Sequence, residues 1–289
     1  MRLTGGRPRH DWRVSEPPPP VGPPLEAATG IRRVVAPNPG PMTGNGTNSW
    51  LVEHSAGTAV IDPGPDDAAH LRAIVAAARG PITHILLTHT HRDHLEGARP
   101  LAEMTGAPVY AYRHSACATF SPDIALDDGA RVATLTALHT PGHAADHLCF
   151  ATGDGVVFTG DHIMGWSTTM VPPAPHGSVR LFLDSLDKVL DRDARLLLPA
   201  HGPPIPSPVL CIRGLIAHRL AREDSILAAL PDEPATLDDI LRRVYRAIRP
   251  ALRRAAELNL LAHLEKLRDD GRAVHDHDTW RAVRDGTTA

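Results

Sequence analysis

Apolar and polar positions follow two different periods along this chain, and the change between them divides it. Trp50 to Asp62 alternates apolar stretches with turn residues as a hairpin does, and Ile61-Asp62-Pro63-Gly64 ends its second strand. An acidic first turn, alanine richness and a following Gly80 predict a helix over Asp66 to Arg79, then a short buried strand from Ile82 to Thr88. A further helix is expected over Leu95 to Met104, with strands at Val109 to Tyr112, Arg131 to Leu138, His147 to Ala151 and Val156 to Thr159. Phe182, Leu186, Val189 and Leu190 recur at helical spacing and mark a helix from Val179 to Leu190, after which Leu196 to Pro199 reads as a strand. Beyond about Ser207 the pattern turns helical, at Val209 to Leu230, Leu237 to Ile248 and Ala251 to Asp269, and Gly271 to Val283 alternates like a closing hairpin. Residues up to about Leu25 are rich in Pro and Arg, lack any period and read as an extended arm over the surface. The expected organisation is an arm over 1–25, a mixed α/β domain over 26–207 and a helical module over 208–289.

Composition narrows the class. With 42% apolar and 22% charged residues the chain is an ordinary globular protein. A net charge of -3 gives no global pull toward nucleic acid. Cys117, Cys149 and Cys211 have neither an even count nor a metal-ligand spacing, so they are expected to be buried thiols in a reducing compartment. The stretch from Arg2 through Arg7, Arg9 and Arg13 to Pro17 lacks the apolar core of a secretory signal, and nothing is long and apolar enough to span a bilayer. A cytoplasmic location without membrane contact is the expectation, and the oligomeric state is open.

The chemistry is concentrated at strand ends. His89-Thr90-His91-Arg92-Asp93-His94 places three imidazoles and a carboxylate directly after a strand, where a turning loop can aim them at one point. Neutral imidazole and carboxylate are the donors that zinc, manganese and iron accept. His143 in Thr140-Pro141-Gly142-His143, Asp161 in Thr159-Gly160-Asp161 and His201 in Pro199-Ala200-His201-Gly202 also follow apolar strands, each beside a glycine. Any one of them alone would be an ordinary satisfied polar residue; with the cluster they form a pattern.

In that order of motifs the chain, from about Asn48 to His201, resembles the metallo-β-lactamase superfamily. The resemblance implies an αββα sandwich with metals at one edge. It also implies that His89, His91 and His143 bind one ion, that Asp93, His94 and His201 bind the other, and that Asp161 bridges them. Asp62 resembles the family's early aspartate that supports the ligand loop, although a turn residue before Pro63-Gly64 explains it equally well. True β-lactamases are expected to carry cysteine or serine where Asp161 stands, so the aspartate points to the glyoxalase II-like and nuclease branches. The oxygen-reducing diiron relatives carry glutamate where this chain has His91, which argues against redox use. Gly160-Asp161 through Gly165-Trp166-Ser167-Thr168 to Pro172-Pro173, with His218-Arg219 and Asn259 to Leu264, resembles the lactamase-beta-2-like hydrolases. Those proteins follow the sandwich with a small winged-helix-like domain, and some cleave single-stranded RNA.

The expected activity is that of a hydrolase with two divalent ions, zinc first and manganese or iron as alternatives. It would use a metal-bridging hydroxide, with Asp93 orienting it as the most activity-sensitive residue. An endoribonuclease-like phosphodiesterase leads; a thioester or ester hydrolase is the alternative, and an RNA-binding protein with a structural metal is the rival from another class. Trp166, Ser167 and Thr168 are candidates for substrate contact, against the alternative of a packed loop. Arg242, Arg243, Arg246, Arg249, Arg253 and Arg254 could meet phosphates, but a solvated surface competes with that reading, because only two of the 30 basic residues are lysines and arginine is common everywhere.

Overall fold

The computed structural model describes residues 12–245 and 247–284. Arg2, Arg7, Arg9, Arg246 and the first part of the expected arm therefore lie outside the described residues. The chain opens with β1 (Leu25–Ala28), β2 (Ile31–Val35), β3 (Asn48–His54) and β4 (Gly57–Ile61). It continues through α1 (Ala68–Ala77), β5 (Ile82–Leu86), α2 (Arg92–Leu95), α3 (Ala98–Thr105), β6 (Val109–Tyr112) and β7 (Ile124–Leu126). These strands form one sheet in sequential order, antiparallel up to β4 and parallel from β4 to β7. Next come β8 (Arg131–Val132), β9 (Leu135–His139), β10 (Leu148–Thr152), β11 (Val156–Gly160), α4 (Val179–Leu190) and β12 (Leu196–Pro199). Their sheet runs β12-β11-β10-β9-β8, with only β11 and β12 parallel. After α5 (Pro208–Ala229), the strands β13 (Ala235–Thr236), β14 (Ala273–Asp276) and β15 (Thr279–Ala282) make a third sheet beside α6 (Leu237–Val244) and α7 (Arg253–Asp269).

Strand alternation builds the layers. Trp50, Ile61 and Leu86 face the second sheet and meet Phe150, Phe158 and Leu198, while the intervening Leu51, Val60 and Ile85 face Leu71 and Ile74 of α1. On the other side, Cys149 and Val157 point away from that central layer toward Phe182 and Leu186 of α4 and Ile212 and Leu215 of α5. The result is an αββα sandwich in which both sheets are apolar on both faces. The first half of α5 belongs to this packing; its second half, Ile226, packs with Leu230, Leu241, Leu264 and Trp280 in a separate core. Among the described residues no helix is long and apolar enough to cross a membrane.

Several elements depart from the sequence pattern. β1 and β2 precede the expected hairpin, and β7 and the one-turn α2 were not anticipated. The single strand expected over Arg131 to Leu138 is the tight hairpin β8–β9, turned at Ala133 with φ 51, and an alanine there gives no turn signal. Helix α6 stops at Val244 rather than Ile248, because Tyr245 is extended at φ -120 and ψ 95. The closing hairpin has a third strand, β13, too short to carry a period. Cys149 and Cys211 are buried as expected, but Cys117 is half-buried, on the loop after β6.

Candidate metal centre

Four chain segments deliver the polar side chains to one edge of the sandwich. β5 runs out through Leu87 and Thr88 to His89, and His91 caps α2, which carries Asp93 and His94. β9, β11 and β12 end just before His143, Asp161 and His201. Two glycines allow this convergence. Gly142 has φ 144 and lies so close to α4 that a Cβ would sit 2.4 Å from the Phe182 Cα. Gly160 has φ 49, and a Cβ there would be 2.6 Å from His147 Nε2, the atom that accepts the Asp161 backbone N–H.

All seven sequence-predicted donors gather into two adjacent groups, His89, His91, His143 and Asp161, and Asp93, His94 and His201; within each, the donor atoms lie within 4.8 Å of one another. In the first group His91 Nδ1 is 2.9 Å from His89 Nε2 and 3.0 Å from His143 Nε2. In the second, Asp93 Oδ2 lies 3.2 Å from His201 Nε2 and 3.6 Å from His94 Nε2. Asp161 faces both: its Oδ2 is 3.5 Å from His143 Nε2, and its Oδ1 is 3.2 Å from His201 Nε2 and 3.7 Å from His94 Nε2.

Hydrogen bonds behind the rings fix which nitrogen carries a lone pair. His143 Nδ1 donates to the Met170 carbonyl (2.7 Å), His201 Nδ1 to the Gly46 carbonyl (3.2 Å) and His94 Nδ1 to Asp62 Oδ2 (2.9 Å). Thr88 Oγ1 gives its proton to Asp62 Oδ2 at 2.7 Å, so at 3.0 Å it accepts from His89 Nδ1. Each of these four rings in its neutral form thus turns an unprotonated Nε2 toward the others. Lone pairs converging this way cannot satisfy one another; His94 Nε2, His201 Nε2 and Asp161 Oδ1 are buried with no hydrogen-bond partner. That donor set fits divalent cations. Asp62, fully buried at φ 52, ends its strand and also accepts the Thr88 N–H at 2.8 Å, so its carboxylate ties the ligand loop to His94.

The two groups differ in charge. Burial, then His94, His91, His143 and His147, holds His89 well below the ordinary imidazole value. Burial pulls His94 the same way, but Asp93, Asp62 and Asp161 together raise it well above that value. Asp93 is raised by burial, yet the imidazoles of His94 and His201 beside it bring it down to about 2. The protons these carboxylates attract mark a field that a cation would also feel.

The segment from Asp161 to Met170 leads to a cavity of about 450 Å³ between the sandwich and the C-terminal helices. Trp166, Ser167 and Thr168 all line it. Its far wall is Arg219 and Arg222 of α5, Tyr245, Arg249, and Leu252 and Asn259 beside and on α7; the sequence offered Arg249 as a phosphate contact and Arg219 and Asn259 as motif residues, and missed Arg222, Tyr245 and Leu252. Arg219 is 2% exposed, donates to Asn259 Oδ1 at 2.7 Å and to the Thr169 carbonyl, and lies over the Phe182 ring. His147 was also missed; a histidine inside an otherwise apolar strand pattern was its signal. Of the arginine run, Arg242 pairs with Asp238 and Asp239, Arg253 with Asp238 and Glu257, and Arg254 with Glu257.

Residues 42–201 match the family model described as metallo-beta-lactamase superfamily, and residues 236–280 match the beta-lactamase associated winged helix domain. The chain is 30% identical to the beta-lactamase-like protein 2 homolog of Drosophila melanogaster, over 84% of this chain and 89% of that protein. It is 32% identical to an atrochrysone carboxyl ACP thioesterase of Pseudocercospora fijiensis, over 84% of this chain and 76% of that one. A beta-lactamase domain protein from Burkholderia ambifaria superposes with a TM-score of 0.79 at 23% identity, covering 92% of this chain and 95% of its own.

Proposed function

Because this chain belongs to the metallo-beta-lactamase superfamily, we propose that it is a dinuclear metal hydrolase of small acyl thioesters or esters. His89, His91 and His143 would hold one ion, Asp93, His94 and His201 the other, and Asp161 would face both through its two oxygens. What such ions supply when bound is hydroxide from water near neutral pH and a counter-charge for the oxyanion of an attacked carbonyl. Imidazole and carboxylate donors suit zinc, manganese and iron alike.

The chain's own groups supply the rest. Asp93 keeps 30% of its side chain exposed while Asp161 is buried, so Asp93 is the carboxylate that can accept a hydrogen bond from the attacking water and orient it. Its low pKa keeps it ionised for that task. Asp62, Thr88 and the Met170 and Gly46 carbonyls fix the imidazole tautomers, so no ring must turn during reaction.

The observation that carries the substrate class is the open-mouthed cavity, whose lining includes Met42, Met164, Trp166, Met170 and Leu252 and whose volume of about 450 Å³ is of small-molecule size. The sequence favoured RNA, but three arginines of the run, Arg242, Arg253 and Arg254, are neutralised by neighbouring acids, which leaves little of a phosphate-tracking surface. The thioesterase relative supports the acyl reading. The test is metal analysis of the purified protein with a panel of acyl thioesters, lactams, phosphodiesters and single-stranded RNA. Chelator-sensitive turnover of thioesters is expected; RNA cleavage with no thioester turnover would overturn the proposal.

A further inference from the structure

The cavity wall is cationic without being neutralised. Arg219, Arg222 and Arg249 line it, and no aspartate or glutamate does. Arg219 sits at 2% exposure with its Nε unpartnered. Burial lowers it to about 10, which leaves it charged at neutral pH, and the charged neighbour Arg222 opposes rather than supports it. Arg222 lies 4.9 Å over the Tyr245 ring, and among the described residues neither it nor Arg249 has a carboxylate in ion-pair range. A buried guanidinium with like charge beside it is costly unless an anion offsets it.

We propose that this cavity is a phosphate subsite. Arg222 and Arg249 receive the phosphate of a substrate's pantetheine-type carrier arm, while the acyl-bearing end lies against Met42, Met164 and Trp166. Two or three guanidiniums around one pocket offer the several N–H donors that the unesterified oxygens of a phosphate accept. A cavity of about 450 Å³ with arginines on one wall and Met42, Met164 and Trp166 on another fits one flexible arm with a charged and an apolar part. This deepens the thioester reading and rests on it for the acyl half; the phosphate half can be tested without turnover.

The metal-replete full chain is assayed with butyryl-coenzyme A and with butyryl N-acetylcysteamine, which share the acyl group and the scissile bond, while only the first carries the pantothenate arm, its phosphates and the adenosine. The wild type should prefer the coenzyme A thioester in kcat/KM by about tenfold or more, and Arg222→Gln or Arg249→Gln should erase most of that preference, with Arg222→Lys keeping part of it. Equal losses on both substrates would overturn the subsite. Calorimetry with free phosphopantetheine and with pantetheine gives the second readout. Phosphopantetheine binding that depends on Arg222 and Arg249 supports the subsite even if neither thioester is hydrolysed, a result that would instead sink the proposed activity. Equal binding of the two ligands overturns the subsite, as does a single-stranded oligoribonucleotide that displaces phosphopantetheine with the same arginine dependence.

Discussion

The metal centre and the neighbouring cavity are joined by ten residues of chain, Asp161 to Met170, and have opposite electrostatic needs. At one end carboxylates crowd imidazoles and raise His94, so the region calls for cations. At the other, arginines crowd Tyr245 and Asn259 with no acid among them, so the region calls for an anion. A substrate with a carbonyl at one end and a negative group at the other would be oriented by this contrast before any specific contact forms.

The comparison breaks most completely at Asp161, the carboxylate that faces both donor groups. Asp161→Ala should remove metal from the purified protein, measured by elemental analysis, and lower kcat/KM by about a thousandfold or more. Full metal content with normal turnover would mean that the two groups are not coupled through it. Asp93→Ala should cost about a hundred- to a thousandfold in kcat. It belongs to one group alone, so the His89, His91 and His143 ion should persist; loss of both ions would erase the distinction between the groups.

The next change acts through another residue. Asp62→Asn keeps the shape of a side chain that touches no substrate but removes the charge behind His94. Metal affinity should fall about ten- to a hundredfold, read by competition with a chromogenic chelator, while the stability of the metal-free protein changes less. An unchanged affinity would reduce Asp62 to the turn residue that its position before Pro63-Gly64 also explains.

The two regions also differ in how far the sequence revealed them. Four donors of the metal centre, His89, His143, Asp161 and His201, stand just beyond apolar strands, so period and residue type together pointed to them. Parallel strand ends lie side by side in a sandwich, which is why a one-dimensional pattern could locate a three-dimensional cluster. The αββα layers were implied by the same motifs, whereas β1, β7 and β13 were too short or too irregular to show a period. The cavity had no such regularity. Arg219 sits inside a long helix, and its significance depends on Thr169 and Asn259, which are distant in sequence. The one arginine run that the sequence offered, Arg242 to Arg254, supplies among its described residues only Arg249 to the cavity.

The finest test of the contrast compares two buried histidines. His94 is raised by its carboxylates; His263, fully buried on α7 with both ring nitrogens unpartnered, is lowered to about 3 by burial first and then by Arg219, Arg222, Lys266 and His218. A histidine whose folded pKa is depressed stays neutral in the native state while the unfolded chain takes up a proton below about 6.5, so stability is lost as pH falls from about 6.5 toward 3. That residue contributes a slope of at most about 1.4 kcal/mol per pH unit in this window. His263→Leu removes the titration and the unpaired nitrogens together. Urea unfolding of the metal-replete proteins should therefore show the variant losing less stability than the wild type on acidification, with little difference at neutral pH. The metal centre's own sensitivity to acid is common to both proteins and cancels in the difference. Parallel acid profiles would show that neither burial nor the cavity's cations oppose a proton at His263, and the electrostatic contrast would then rest on the metal centre alone.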